Sequence, residues 1–200
     1  MIRLQKLTLG MLLLCLSLCI YANTETVSYD ILLFNNKIGK MVVTHETKPD
    51  GTDLYTLVTT SRAKILWIDK ANDSRYDLVY KAGKLMSSTF KEIENGEVKR
   101  WCNIKWDGSE YLVESHNGKH SFTDSPSFST ITAYFQGLTK TAKIFYESEG
   151  NFANTEYPDA NTLEFKTSDG HKSIYHYLNN KINNMEFHIS IATIYMVLSK

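Results

Sequence analysis

Between Asp73 and Phe122 the chain reads as a ladder of antiparallel strands joined by three short glycine-containing turns, and this stretch constrains the fold more than any other. Asn95-Gly96 separates two strand-like runs, Leu85–Glu94 and Glu97–Trp106. Both turn residues tolerate positive φ, as a two-residue type I′ hairpin loop requires. Such a loop sets Glu94 opposite Glu97, Ile93 opposite Val98, Glu92 opposite Lys99 and Phe90 opposite Trp101. The last two pairs match charge with countercharge and ring with ring, as cross-strand neighbours prefer. Asp107-Gly108 repeats the device, with Lys105 opposite Glu110, Ile104 opposite Tyr111 and Cys102 opposite Val113. Asn117-Gly118 repeats it again and sets Val113 opposite Phe122. Side chains alternate across a strand, so Val98, Cys102, Ile104 and Trp106 share a face with Tyr111, Val113 and Phe122. That face is the expected core. Arg100 lies on it too, so either the face opens at that row or Arg100 reaches its rim. The opposite face carries Lys99, Asn103, Lys105 and Glu110 and is wet.

The first 22 residues have the layout of an export signal: Arg3 and Lys6, then an apolar run from Leu7 to Ile20, then Ala22 at a cleavage site. The apolar run is short for a bilayer span. Leu18 ahead of Cys19 is too large for the small-residue position of a lipoprotein site, so cleavage near Ala22 is expected, with a periplasmic or secreted product. Cleavage removes Arg3, Lys6 and no acid, leaving 20 basic against 22 acidic residues, a formal net charge of −2. That balance gives no basic field for nucleic acid and no polybasic segment for an anionic membrane. Cys15 and Cys19 leave with the signal. Cys102 alone remains, as a small buried hydrophobe rather than half of a disulfide. The remaining 178 residues suffice for one core without staples. A single domain over residues 23–200, with no transmembrane span, is expected.

Elsewhere, hairpin signals dominate. Val27–Phe34 pairs with Lys37–Glu46 across Asn35-Asn36, setting Leu33 opposite Ile38 and Tyr29 opposite Val42, with Gly39 marking a bulge or a close approach. Pro49-Asp50-Gly51, Asp169-Gly170 and Asn179-Asn180 are further turns. Leu54–Ser61, Lys143–Tyr146, Thr162–Ser168, His171–Leu178 and Met185–Leu198 supply strands, the last as one strand or a bent pair, with a looser stretch at Asn151–Ala160. The period changes once: Phe128, Ile131 and Phe135 predict a short helix from Pro126 to Gly137, capped by Ser125. The fold class is all-β, an antiparallel meander forming a curved open barrel or sandwich with one short helix.

No nucleophile elbow, zinc-binding His pair or phosphate loop is present in the sequence. His116 and His120 flank a turn and point to opposite faces in the proposed register. His171 and His188 are cross-strand candidates without a third ligand. Glu92 and Glu94 share a strand face, and Glu147 and Glu149 sit in what reads as a solvated turn. None of these sets makes a catalytic or metal site, and no cofactor is expected. The aromatic residues are more suggestive, because rings lining a concave sheet would hold an acyl chain or stack on a sugar. Trp67, Trp106, Tyr111, Phe128, Tyr134 and Phe135 are the candidate ligand-binding residues, with the Pro126–Gly137 segment as a plug or lid.

Tyr29-Asp30, the turn with Asn36-Lys37-Ile38-Gly39-Lys40, Tyr80, Asn95-Gly96 and Tyr134-Phe135 together resemble a family of exported bacterial proteins classed only as a domain of unknown function. The resemblance implies an antiparallel β fold in the cell envelope and carries over no activity or site. At fold level the layout is also similar to the half-barrels that carry lipoproteins through the periplasm. The expected function is a non-catalytic binding module for an apolar or amphipathic envelope ligand. The alternatives are an envelope protein that docks on a partner through exposed strand edges, or, last, a hydrolase-type enzyme.

Overall fold

The computed structural model describes residues 23–65, 68–189 and 192–200. The export-signal stretch and Trp67 therefore lie outside the described residues. Eight strands run consecutively through the first part of the chain: β1 (Asn23–Leu33), β2 (Asn36–Thr47), β3 (Thr52–Ile65), β4 (Ile68–Lys81), β5 (Lys84–Glu94), β6 (Glu97–Trp106), β7 (Tyr111–Ser115) and β8 (Gly118–Phe122). A one-turn helix α1 (Ala133–Gln136) follows. Then come β9 (Lys143–Tyr146), β10 (Asn151–Glu156), β11 (Thr162–Lys166), β12 (Lys172–Leu178), β13 (Lys181–Ile189) and β14 (Ala192–Leu198). All join one antiparallel sheet in the order β8-β7-β6-β5-β4-β3-β2-β1-β14-β13-β12-β11-β10-β9. The first and last strands are central partners, and mid-chain strands β8 and β9 form the two edges.

The sheet curls but does not close by a backbone ladder. Its ends meet through side chains: the Phe122 ring lies 5.4 Å from Phe145 and 5.6 Å from Phe152, and His120 Nε2 is 3.0 Å from the Gly150 carbonyl. The chain between the edges turns inward as a plug. Phe128, Ile131, Ala133 and Tyr134 are buried inside the curl. The β9 edge is covered on that side, since Thr130 N–H donates to the Phe145 carbonyl at 2.8 Å and Phe145 N–H to the Phe128 carbonyl at 3.1 Å.

Several expected registers are corrected. At Asn95-Gly96 the pairs Glu94–Glu97 and Ile93–Val98 form, but a bulge at Lys99 then sets Glu92 opposite Arg100 and Phe90 opposite Cys102. One extra residue flips the parity, so Val98 leaves the core face and is half exposed, while Cys102 and Ile104 remain inside. Asp107-Gly108 is not a two-residue turn: Trp106 pairs with Tyr111, and Asp107 Oδ1 accepts from the backbone of Ser109 and Glu110. That shift is two residues, so both faces survive. The next turn is His116-Asn117, with Gly118 at φ 120 as the first residue of β8, so Val113 faces His120 and Tyr111 faces Phe122. The first hairpin turns at Phe34-Asn35, both at positive φ, pairing Leu33 with Asn36 and Tyr29 with Met41 across a bulge beside Gly39. The stretch at 151–156 is a strand, and the last apolar run divides into β13 and β14.

The helix is shorter than expected, beginning at Ala133 rather than Pro126. Thr130, Ile131 and Thr132 are β-branched or cap-forming, and Ser129 and Thr132 bond to one another's backbone N–H. Those local bonds and the β9 edge outcompete helical pairing. Gly137 ends the helix as predicted, at φ 73.

Asn180 ties the end of the plug to the sheet. It sits at φ 61 in the β12–β13 turn, and its Oδ1 accepts from Leu138 N–H at 3.0 Å. Asn180→Ala loses the tether and strains the turn, and should cost about 2 kcal/mol in denaturant unfolding. Asn180→Gly keeps the turn geometry and should cost about half as much.

Candidate functional site

Alternation along the strands builds two unlike walls inside the curl. On β3 the inward positions run Tyr55, Leu57, then Thr59 and Ser61; on β4 they run Tyr80, Leu78, Tyr76, then Ser74 and Asn72. Strand pairing lines these changes up. The row Leu57–Tyr76–Phe90–Cys102 is apolar, and the next row, Thr59–Ser74–Glu92–Arg100, is polar. Across the interior the matching rows are apolar throughout much of their length: Ile31–Met196–Met185–Tyr175 and Leu33–Ile194–Phe187.

Between the walls lies a cavity of about 610 Å³, within the range of small-molecule sites. Its lining includes the polar row, Ser61, Asn72 and Glu94 on one side, and Ile31, Leu33, Phe187, Ile194 and Met196 on the other. Ile131 and Tyr134 of the plug also line it. The Tyr134 hydroxyl lies 3.1 Å from the Met185 sulfur and its ring 5.6 Å from Tyr29, which holds the plug against β13 and β1, on the aliphatic side of the cavity. At the lip Phe34 is 67% exposed at φ 49, a conformation a bulky side chain seldom adopts.

Arg100 does reach the rim. Its Nε is 3.6 Å from Glu92 Oε2, its Nη2 is 4.0 Å from Glu149 Oε1, and its guanidinium carbon is 5.5 Å from the centre of the Phe90 ring. Both nitrogen–oxygen separations are too long for hydrogen bonds. The carboxylates themselves have other partners. Glu92 Oε1 accepts from Asn72 Nδ2 at 2.5 Å, and Glu149 Oε2 accepts from the hydroxyls of Tyr146 and Ser168. Lys70 pairs with Glu94 at 3.4 Å, Lys172 with Glu164 at 2.6 Å and His171 with Asp169 at 3.1 Å.

The expected solvated turn at Glu147 and Glu149 is corrected. Glu147 is wholly buried beneath the plug: Thr130 Oγ1 donates to its Oε2 at 2.6 Å, while Oε1 has no partner among the described residues. Burial pushes its carboxyl up to about 7, against the pull of the neighbouring hydroxyls. Nothing in the local sequence marks it, because its burial comes from the plug folding back over β9. Cys102 is fully buried as expected, and desolvation pushes its thiol up to about 12, far from thiolate reactivity.

Of the candidate ligand residues, Tyr134 lines the cavity. Tyr111 and Phe128 are buried in the packed end of the core, and Trp106 is half-buried there, under Lys84 and against Tyr111. Phe135 packs on His45 and Tyr55. Trp67 is outside the described residues. Of the cavity's own residues, Arg100 was legible as a position on the core face, Glu92 was expected with Lys99 on the wet face and is turned inward by the bulge, and Tyr76 and Phe187 were legible only as members of strand-like runs. His171 and His188 both border the cavity but hold different acids, Asp169 and Glu186 at 3.1 Å each. Among the described residues no three His, Cys, Asp or Glu side chains are grouped to hold a metal ion, and no helix is long and apolar enough to cross a membrane, which says nothing of a β-barrel.

An open antiparallel sheet curled round its own plug, with a two-walled cavity, defines a cavity-bearing, barrel-like β protein. The family model described as domain of unknown function (DUF6134) matches residues 29–199, and the chain belongs to that family. In the solved structures it is similar to a β-barrel-like protein of domain of unknown function DUF1849 from Brucella abortus, at 14% identity and a TM-score of 0.53, covering 90% of this chain and 96% of that one. That likeness is one of fold. No curated protein matches the chain.

Proposed function

We propose that this protein is an exported, non-catalytic binding module that takes up an amphipathic ligand of the cell envelope. The observation that carries the reading is the cavity, in which an aliphatic wall faces a polar one. A guest with an apolar chain along β1, β14 and β13 and a polar end against β3–β6 satisfies both surfaces, whereas a wholly polar guest leaves the aliphatic wall wet. The signal-like residues 1–22 support export. Docking through strand edges has less support. The free edge β8 is five residues long and carries Lys119 and His120, features that discourage pairing with another chain.

The test is native mass spectrometry of the protein expressed as the full chain and purified without detergent. The expected result is a protein mass beginning at Asn23, plus a discrete added mass that organic extraction removes. A guest-free protein that also takes up no lipid or detergent-like molecule from an added mixture sinks the binding reading. Leu57→Trp, which fills the cavity from the apolar row, should lower the fraction loaded at least tenfold while the protein stays folded by circular dichroism.

A further inference from the structure

Taking that binding reading as its basis, we infer that the polar end of the ligand is uncharged and hydroxyl-bearing, as in a monoacylglycerol or an alkyl glycoside, and is not a free carboxylate. Glu92, Glu94, Glu149 and Asp169 border the cavity against Lys70, Arg100 and Lys172, so fixed acids outnumber fixed bases by one. Lys70 and Lys172 are already paired with carboxylates, at 3.4 and 2.6 Å. Among the described residues Arg100 is the fixed cation bordering the cavity with no carboxylate oxygen within hydrogen-bond distance, and it stands between two carboxylates at 3.6 and 4.0 Å.

A ligand carboxylate that met Arg100 would also meet Glu92 and Glu149, and like charges brought together in a partly desolvated site are strongly unfavourable. A hydroxyl faces no such penalty. Its oxygen accepts from the guanidinium while its proton goes to Glu92 or Glu149, which have lone pairs to spare. The rest of the polar wall has the same character: Thr59, Ser61 and Ser74 offer hydroxyls and Asn72 an amide, neutral groups that both donate and accept. The arrangement suits several adjacent hydroxyls better than one point charge. The chain of such a ligand lies on Ile31, Leu33 and Ile194, opposite its head.

Displacement of a fluorescent apolar probe tests this with three competitors of equal chain length at pH 8: a fatty acid, a monoacylglycerol and an alkyl glucoside. The expected result is that at least one neutral competitor binds tenfold or more tightly than the fatty acid, and the monoacylglycerol and glucoside arms separate a glycerol head from a sugar. Fatty acid binding as tight as, or tighter than, both neutral competitors overturns the inference while leaving the binding reading intact. Binding of neither the probe nor any competitor sinks the binding reading and this inference with it. The double variant Glu92→Gln, Glu149→Gln should raise fatty acid affinity tenfold or more with little change for the favoured neutral competitor. An unchanged ratio in that variant, with folding intact by circular dichroism, also overturns the charge argument.

Discussion

Gly39→Ala should destabilise the protein by about 3 kcal/mol or more, lowering the melting temperature by roughly 6–12 °C in a chain of this size. Gly39 sits beside the bulge on β2, where a Cβ would come 2.2 Å from the Thr60 carbonyl oxygen and 2.7 Å from the Ser61 Cα. Both are backbone atoms of β3, so no side chain can swing aside, and relief requires β2 and β3 to move apart. That movement would break ladder hydrogen bonds at the level of Ser61, which lines the cavity, so ligand uptake should fall with stability. Gly51→Ala is the matched control. Its φ of 76 is awkward for alanine, yet the added Cβ meets nothing within 4 Å, and the cost should be only about 1 kcal/mol. Equal melting temperatures for the two variants would refute the close-approach argument.

The second large effect is pH-dependent and belongs to Glu147. Its carboxyl is raised from 4.5 to about 7 by burial, so the folded state holds the proton more tightly than the unfolded chain. The sign follows: the stabilisation is complete below about pH 4.5 and is lost as pH rises through about 7. The full difference corresponds to about 3 kcal/mol. Glu147→Gln keeps an oxygen to accept from Thr130 and removes the titration. The variant should therefore match the wild type near pH 4.5 and exceed it by up to about 3 kcal/mol at pH 8, read from urea unfolding at both values. Parallel stabilities at the two pH values would show that Glu147 is hydrated in solution. The comparison with the variant is needed because other carboxyls act in the opposite sense; hydrogen bonds from Lys37 and Ser199 hold the Asp30 carboxyl below its usual range, for example.

The ladder from Asp73 to Phe122 illustrates how far local chemistry reaches. Asn95-Gly96 identified its turn and the first two pairs on either side, because two residues that accept positive φ leave the backbone little choice. It did not reveal the bulge at Lys99, which places Arg100 rather than Lys99 opposite Glu92. A bulge depends on how the bent strand fits its neighbours, and no residue type announces one. The same limit explains the cavity. Aromatic residues were the natural candidates for a ligand surface, yet Tyr111 and Phe128 went into the packed core. Rings that close the curled end of a sheet look the same in sequence as rings that line a hollow.

An antiparallel all-β chain, the approximate positions of its turns, the inward place of Cys102 and the end of the helix at Gly137 were legible in the sequence, because those follow from φ preferences and a two-residue period. The pairing of β1 with β14, the choice of plug over lid for residues 126–137 and the burial of Glu147 come from the tertiary fold. Each joins residues far apart in the chain, so each depends on the summed burial of many side chains rather than on any local preference. The two-walled cavity is the product of those same long-range pairings, which set Arg100 between Glu92 and Glu149 and face them with Leu33 and Ile194.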